Sequence, residues 1–375
     1  MLTDETLSAD VPLVAFSHLR WDFVRQRPQH LLGRFAKQRE VWMWEETIPT
    51  DHHLPYLEYH RFAADAVTSL RPRLPHTWSA EDRAKGLSEL YALFRAQTLR
   101  QAPIAWFYTA AMLDVPPADD AVLQVYDCMD ELSAFAHADP ALIAQEKRLL
   151  AEADVVFTGG RSLYEAKRDH NPNVHAFPSA VDREHFAAAR TVAPRDPAQR
   201  TAGYFGVIDE RLNLELVAGL AEALPDWQIE MVGPVVKIDP AALPRRANVV
   251  WPGPASYADL PRILARWNVA LMPFALNEAT RFISPTKTPE YLAGGRPVVS
   301  TAIRDVVADW GESPGVSIAQ DAAGFARAVT EAAALPAAGP WLEAVDRQLD
   351  AISWDVTQSR MAALMDEAYR KRVHG

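Results

Sequence analysis

Short apolar runs bounded by turn residues alternate along this chain with stretches whose apolar positions return every three or four residues. The first run is VPLVAFS (11–17), and the spacing in VRQRPQHLLGRFAKQ (24–38) after it predicts a helix. Strand-like runs follow at EVWMWE (40–45), PIAWFYT (103–109), AVLQVYD (121–127), ADVVFTGG (153–160) and NVHAFPS (173–179). Such alternation predicts βαβ units and a parallel sheet whose strands are buried on both faces. A polar stretch, TVAPRDPAQR (191–200), interrupts the pattern, which restarts at TAGYFGV (201–207) and runs through WQIEMVG (227–233), NVVWPG (248–253), WNVALMPF (267–274), RPVVST (296–301) and GVSIA (315–319). The tail from Trp341 onward is helical in pattern. The expected organisation is therefore α/β: a doubly wound domain over 1–197, a second over 198–340, and a helical segment over 341–375 that crosses back to the first. In two such domains facing a cleft, functional side chains are expected just after strands, where open parallel sheets bind ligands.

Composition narrows the classes. A length of 375 residues exceeds one ordinary core. Hydrophobic content of 49% and charged content of 23% exclude disorder, collagen and coiled coil. A formal charge of -11 argues against a nucleic-acid binder, which needs clustered Lys and Arg. One basic cluster, Arg20, Arg25, Arg27, Arg34, Lys37 and Arg39, reads as a solvated helix face or a local patch, and a weak peripheral membrane contact through the N-terminal domain is one use for it. The single cysteine, Cys128, allows no internal disulfide, and no run approaches the roughly 18 apolar residues of a membrane span. A cytoplasmic location, with the inner face of the membrane as a variant, is the expectation.

The motifs of the common doubly wound enzymes are missing: no G-x-G-x-x-G follows a strand, and G-x-x-x-x-G-K-[ST], G-x-S-x-G and H-E-x-x-H do not occur. Nor is there an Asp-x-Asp pair, the usual holder of a divalent metal against a nucleoside diphosphate, so a metal-independent site is expected. What stands out is SPTKTPEYLAGGRPVVST, from Ser284 to Thr301. Pro285 leads into a helix whose free N–H groups would favour a diphosphate, with hydroxyl donors on Ser284, Thr286 and Thr288. Glu290 could accept hydrogen bonds from two ribose hydroxyls, and Lys287 could offset phosphate charge. The alternative is structural: Ser284 caps the helix, and Lys287 with Glu290 forms a surface i,i+3 pair.

That stretch resembles the signature of the C-terminal domain in GT-B nucleotide-sugar glycosyltransferases, especially family 4. There a helical glutamate before a small-residue turn and "PVV" binds the nucleotide ribose, which implies this role for Glu290. The resemblance extends through GYFGVIDERLNLELVAGLA (203–221), with Gly206 in the glycine loop, and through MVGP (231–234), NVVWPGPASYADLP (248–261) and VALMPF (269–274). It implies two Rossmann-like domains and a base site within 250–257, including Pro254 and Tyr257. Two departures stand out. The family's sugar-contacting glutamate, eight positions before the ribose glutamate, is Phe282 here, and Asn277 and Glu278 could substitute from the same loop. The family's Arg/Lys pair is reduced to Arg211, so Lys287 could take over the missing charge.

In the first domain, SHLRWDFVRQRPQHLLGRFA (17–36) and VYDCMDELSAF (125–135) resemble a bacterial cell-surface-polysaccharide subgroup of these enzymes. His18, Asp22 and Asp130 follow strand ends and are the candidates for contacting the reacting hydroxyl, although His18 could be structural and Asp130 with Glu131 could open a helix. Trp21, Trp42 and Trp44 could stack on sugars or pack in the core. The expected function is a retaining, metal-independent hexosyltransferase with no cofactor. It would take a UDP- or GDP-linked sugar as donor and a saccharide or lipid-linked acceptor. The alternatives are a nucleotide-sugar epimerase of the same fold and a non-catalytic nucleotide-sugar-binding homologue.

Overall fold

The structure is a computed structural model that describes residues 6–131, 139–192 and 199–374. The chain forms two compact units, Met1–Phe177 with Asp355–Gly375, and Pro178–Trp354.

The first unit is built on a nine-stranded sheet. Strands β1 (Leu13–Ser17), β2 (Val41–Glu45), β6 (Ile104–Phe107), β7 (Leu123–Cys128) and β8 (Val155–Thr158) form its middle, parallel and almost wholly buried. Their apolar runs are what the sequence pattern picks out. It misses β3 (Ile48–Thr50), β4 (Tyr56–Phe62) and β5 (Val67–Pro75). In β4, YLEYHRF places polar residues among apolar ones because this strand, paired antiparallel to β5, is half exposed along its length. Strand β9 (Val174–Ala176) closes the other edge and is only half-buried, not covered on both faces as its run suggests.

Helix α1 (Arg27–Phe35) is shorter than the periodic stretch predicts, because Pro28 fits the first turn and not a helix interior. The five arginines of the basic cluster around it are engaged within the fold, and Lys37 is exposed. Arg20 pairs with Glu45 at 3.1 Å, Arg25 with Asp65 at 3.1 Å, Arg27 with buried Asp127 at 2.9 Å and Arg34 with Asp355 at 3.0 Å, and Arg39 donates to the Val11 carbonyl at 2.9 Å. Helices α2 (Ala80–Thr98), α3 (Pro140–Glu152) and α4 (Arg161–Lys167) complete the layers before residue 177.

The second unit holds a six-stranded parallel sheet: β10 (Arg200–Phe205), β11 (Trp227–Val232), β12 (Val249–Gly253), β13 (Val269–Met272), β14 (Val298–Ser300) and β15 (Val316–Ile318). Its order is β12-β11-β10-β13-β14-β15, so the winding reverses between β10 and β13. That reversal is the switch point at which doubly wound sheets bind ligands. The helices are α5 (Arg183–Ala187), α6 (Leu214–Ala223), α7 (Leu260–Ala265), α8 (Lys287–Ala293), α9 (Arg304–Trp310), α10 (Ala322–Ala333) and α11 (Pro340–Leu349).

The unit boundaries differ from those read in the sequence. The polar stretch around residue 197 is not a domain boundary, and most of it, 193–198, lies outside the described residues. The second unit begins twenty residues earlier because α5 is part of it, with Phe186 fully buried in its core. Nor does the return segment start at 341: Trp341, Leu342, Val345 and Leu349 of α11 lie in that same core. The chain rejoins the first unit at Asp355, within helix α12 (Trp354–His374), where Met361, Met365 and Ala368 are buried. Among the described residues no helix is long and apolar enough to cross a membrane.

Candidate active site

The site is assembled on the carboxyl ends of β10 and its neighbours. At the end of β10 the Gly206 N–H donates to the Val232 carbonyl at 2.9 Å, and next to it the Gly233 N–H donates to the Gly253 carbonyl at 2.9 Å. The two loops touch so closely that a Cβ on Gly233, whose φ is +151°, would lie 1.8 Å from the Gly206 carbonyl oxygen. A Cβ on Gly206, with φ +141°, would meet Lys287 Cε at 2.2 Å. Glycine is required at both places by backbone and by space.

Lys287, the first residue of α8, therefore lies directly over Gly206. Its Nζ is 5.6 Å from the centre of the Tyr204 ring and 6.0 Å from that of Phe274, so the ammonium is held by two aromatic faces from either side of the switch point. One turn along, Glu290 is 8% exposed. Burial pulls the Lys287 ammonium down to about 8, with the Glu290 and Asp209 carboxylates opposing and Arg211 assisting. Burial likewise pushes the Glu290 carboxyl up to about 7, against the Lys287 charge and a hydrogen bond from Thr286. Glu290 is buried and Lys287 half-buried, so the two are not a pair of exposed surface side chains, and desolvation disfavours the charged form of each. Two aligned features fix the helix that carries them. The Phe205 N–H donates to the Tyr291 hydroxyl at 3.0 Å, and Tyr291 itself is fully buried.

Arg211 lies close enough to depress Lys287, but its own guanidinium is clasped by the buried Asp209 carboxylate, with contacts of 3.0 Å and 2.6 Å. Tyr204, Phe274 and Asp209 are the contributors that sequence reasoning missed. Aromatic residues at strand ends carry no mark that distinguishes them from core, whereas an acid two residues before the family's arginine was legible as a partner.

Other expected donor-side residues take different tasks. Thr288 faces the core, its hydroxyl on the Met272 sulfur at 3.6 Å, and is no phosphate donor. Ser284 does not cap α8; its hydroxyl accepts from the Ser179 N–H at 3.3 Å, and its carbonyl accepts from the Ser179 hydroxyl. Thr286 occupies the N-cap and reaches Glu290. Asn277 caps a short turn, accepting from the Thr280 N–H at 3.1 Å, and exposed Glu278 pairs with Arg281 at 3.5 Å, so both have local partners in place of a ligand. Phe282 is half-buried with the Arg281 guanidinium over its ring. Pro254 is exposed just past β12, and the Tyr257 ring stacks on His185 at 4.2 Å, leaving Tyr257 with one face already covered.

In the first unit, Asp22 pairs with Arg71 at 2.8 Å, and Arg71 also holds the fully buried Glu45 at 2.7 Å. Burial would raise the Asp22 carboxyl, but the Arg71 hydrogen bond and charge hold it below the ordinary range. His18 sits half-buried at the end of β1. Asp130 is half-buried beyond β7, and its carbonyl accepts from the Cys128 thiol at 3.3 Å. Glu131 is buried and accepts from Lys167 at 2.9 Å, and a helix opening after it would lie outside the described residues. Trp21, Trp42 and Trp44 are buried packing residues. Among the described residues no group of three or more His, Cys, Asp or Glu could hold a metal ion.

Residues 201–334 match the family described as glycosyl transferases group 1. A Bacillus subtilis (strain 168) protein, TuaH, named as a teichuronic acid biosynthesis glycosyltransferase, is 26% identical over 200 residues. That match spans 47% of this chain and 50% of TuaH, so about half the length of the relative is represented. Among solved structures, sucrose-phosphate synthase from Thermosynechococcus elongatus superposes with a TM-score of 0.72 at 16% identity, over 96% of this chain and 100% of that one. HepE from Anabaena, solved in complex with UDP and glucose, gives 0.67 at 11% identity, over 94% and 98%. The chain has the GT-B fold, with two Rossmann-like domains. The stretch that matches the group 1 glycosyl transferases lies within its second unit, and the resemblance to family 4 is consistent with that match.

Proposed function

We propose that this protein is a glycosyltransferase. It moves a hexosyl group from a nucleoside diphosphate sugar to a hydroxyl of a saccharide or lipid-linked acceptor, in polysaccharide or glycolipid synthesis. The observation that carries the reading is the placement of Lys287 and Glu290 on one helix over Gly206, at the switch point of the second sheet. As the bond between the anomeric carbon and the diphosphate oxygen breaks, its electron pair goes to the diphosphate. Lys287 is the cation placed to stabilise that growing charge. Arg211, held by Asp209, contributes a dipole more than a bare charge, so Lys287 carries the larger share. Glu290 accepts hydrogen bonds from the ribose. The absence of an Asp-x-Asp pair and the presence of these cations support a reaction without a divalent metal.

The donor to try first is UDP-glucose, since HepE is solved with UDP and glucose. The test is nucleoside diphosphate release and transfer over a panel of UDP- and GDP-sugars, in excess EDTA, with the product anomer followed by proton NMR. We expect turnover to persist and the anomeric configuration to be retained. Loss of all activity in EDTA, restored by manganese or magnesium, would refute metal independence. Conversion to an epimer with no diphosphate release would make the protein an epimerase, and binding without turnover a non-catalytic homologue. On the acceptor side, Asp22→Asn or Asp130→Asn should lower transfer at unchanged nucleotide affinity, and parental rates in both would move the acceptor site elsewhere.

A further inference from the structure

The loop before α8 is tied to the segment that opens the second unit. Ser179 makes both ends of that tie: its N–H donates to the Ser284 hydroxyl oxygen at 3.3 Å, and its own hydroxyl donates to the Ser284 carbonyl. The segment is itself fixed. Two residues on, the buried Val181 donates its N–H to the Ile352 carbonyl at 3.2 Å, and Arg183 pairs with Asp346 at 3.4 Å. From Ser284 the chain passes through Pro285, whose φ is locked by its ring, to the N-cap Thr286 and then to Lys287. The far half of α8 is anchored on β10 through Tyr291, but Lys287 itself touches aromatic faces and a glycine, which restrain it weakly in direction.

We infer that Ser179 is a positioning residue for Lys287: by holding Ser284 at two points it sets where α8 begins and keeps the lysine over Gly206 between Tyr204 and Phe274. The inference rests on the proposed role of Lys287 in transfer. It also explains the structure at Ser284, whose conformation the tie fixes. No sequence motif marks Ser179, which lies 105 positions from its partner.

The test uses Ser179→Ala, which keeps the N–H and loses the hydroxyl, and Ser179→Thr, which restores a hydroxyl. Two readouts are taken on the full chain: steady-state transfer, and the pH midpoint for acylation of Lys287 by an amine-selective reagent, mapped by peptide mass spectrometry. Ser179→Ala should lower kcat by about tenfold, the scale of one hydrogen bond, with the donor KM changed much less. The Lys287 midpoint should move upward from about 8 toward the ordinary amine range, because a loosened helix start lets water reach the ammonium. Ser179→Thr should restore both values. An unchanged midpoint in Ser179→Ala would overturn the inference whatever happens to kcat. So would a melting temperature lowered equally in both variants without a change in midpoint, which is the signature of general packing loss. Should Ser179→Ala fail to fold, Ser284→Ala, which keeps the carbonyl contact and loses the hydroxyl acceptor, should give a smaller shift in the same direction, and no shift would overturn the inference. If the parent neither binds nucleotide nor transfers sugar, the proposed function falls, and the acylation midpoint still decides whether Ser179 positions Lys287.

Discussion

Lys287 and Glu290 are where burial and charge oppose each other most sharply, and the consequences are measurable in the ligand-free protein. Glu290 binds a proton more tightly folded than unfolded, between about 4.5 and 7, so stability from this group falls as pH rises through that window. Lys287 binds its proton less tightly folded than unfolded, between about 8 and 10.5, so stability from this group rises with pH there. The pair predicts a shallow stability minimum near neutral pH, and Glu290→Gln should abolish its acid side, as read by urea midpoints across pH. Equal pH profiles in parent and variant would show that Glu290 is not buried as described. For the nucleotide, Glu290→Gln should raise the diphosphate dissociation constant roughly ten- to a hundredfold, the cost of one or two charge-assisted hydrogen bonds. Parental binding should weaken by up to about tenfold per pH unit above 8, as the lysine must regain its proton to meet a dianion. Calorimetric titration with UDP and GDP checks both. At this scale the sequence made the pair legible through the spacing in TKTPE, but not its burial. The rings beside Lys287 come from Tyr204 in β10 and Phe274 just past β13, far apart in the chain.

At the level of elements, the carboxyl edge of the second sheet is built by loops that share space. Gly233→Ala would push a methyl group into the Gly206 carbonyl and force a positive φ on alanine, so a loss of stability of more than about 2 kcal/mol is expected. Gly206→Ala meets a flexible lysine stem in place of backbone, and it should cost less in stability but more in turnover, by displacing Lys287. Denaturant titrations and rates on the two variants separate these outcomes. A Gly233→Ala protein as stable as the parent would mean that the two loops do not meet. The strands that frame this edge were readable as apolar runs because parallel strands are covered on both faces. The β4–β5 hairpin was not, since β4 is half exposed and alternates polar with apolar residues as a surface loop also can.

Over the whole molecule, the last helix belongs to the unit that holds the N-terminus, and this predicts a separation of effects. Met361 belongs to the first unit and is fully buried, so Met361→Ala should cost about 2–5 kcal/mol, the range for emptying a core site of that size. Nucleotide affinity should hardly change, because Lys287, Glu290 and Gly206 all lie in the second unit. Loss of nucleotide affinity in the folded variant would contradict this division.

The sequence by itself determined the α/β class, two doubly wound sheets and the stretch of chain that carries the candidate donor site, because each is written in local order: apolar runs, turn residues, and side chains within one helical turn. Tertiary structure alone decided where the units begin and end. The break in composition near residue 197 is local, while membership of Phe186, Trp341 and Met361 in one core or the other is a matter of long-range packing. It also decided what Ser284, Arg211 and Lys287 face. A side chain's partner across the fold sets its charge state and direction, and nothing in its neighbours along the chain specifies that partner.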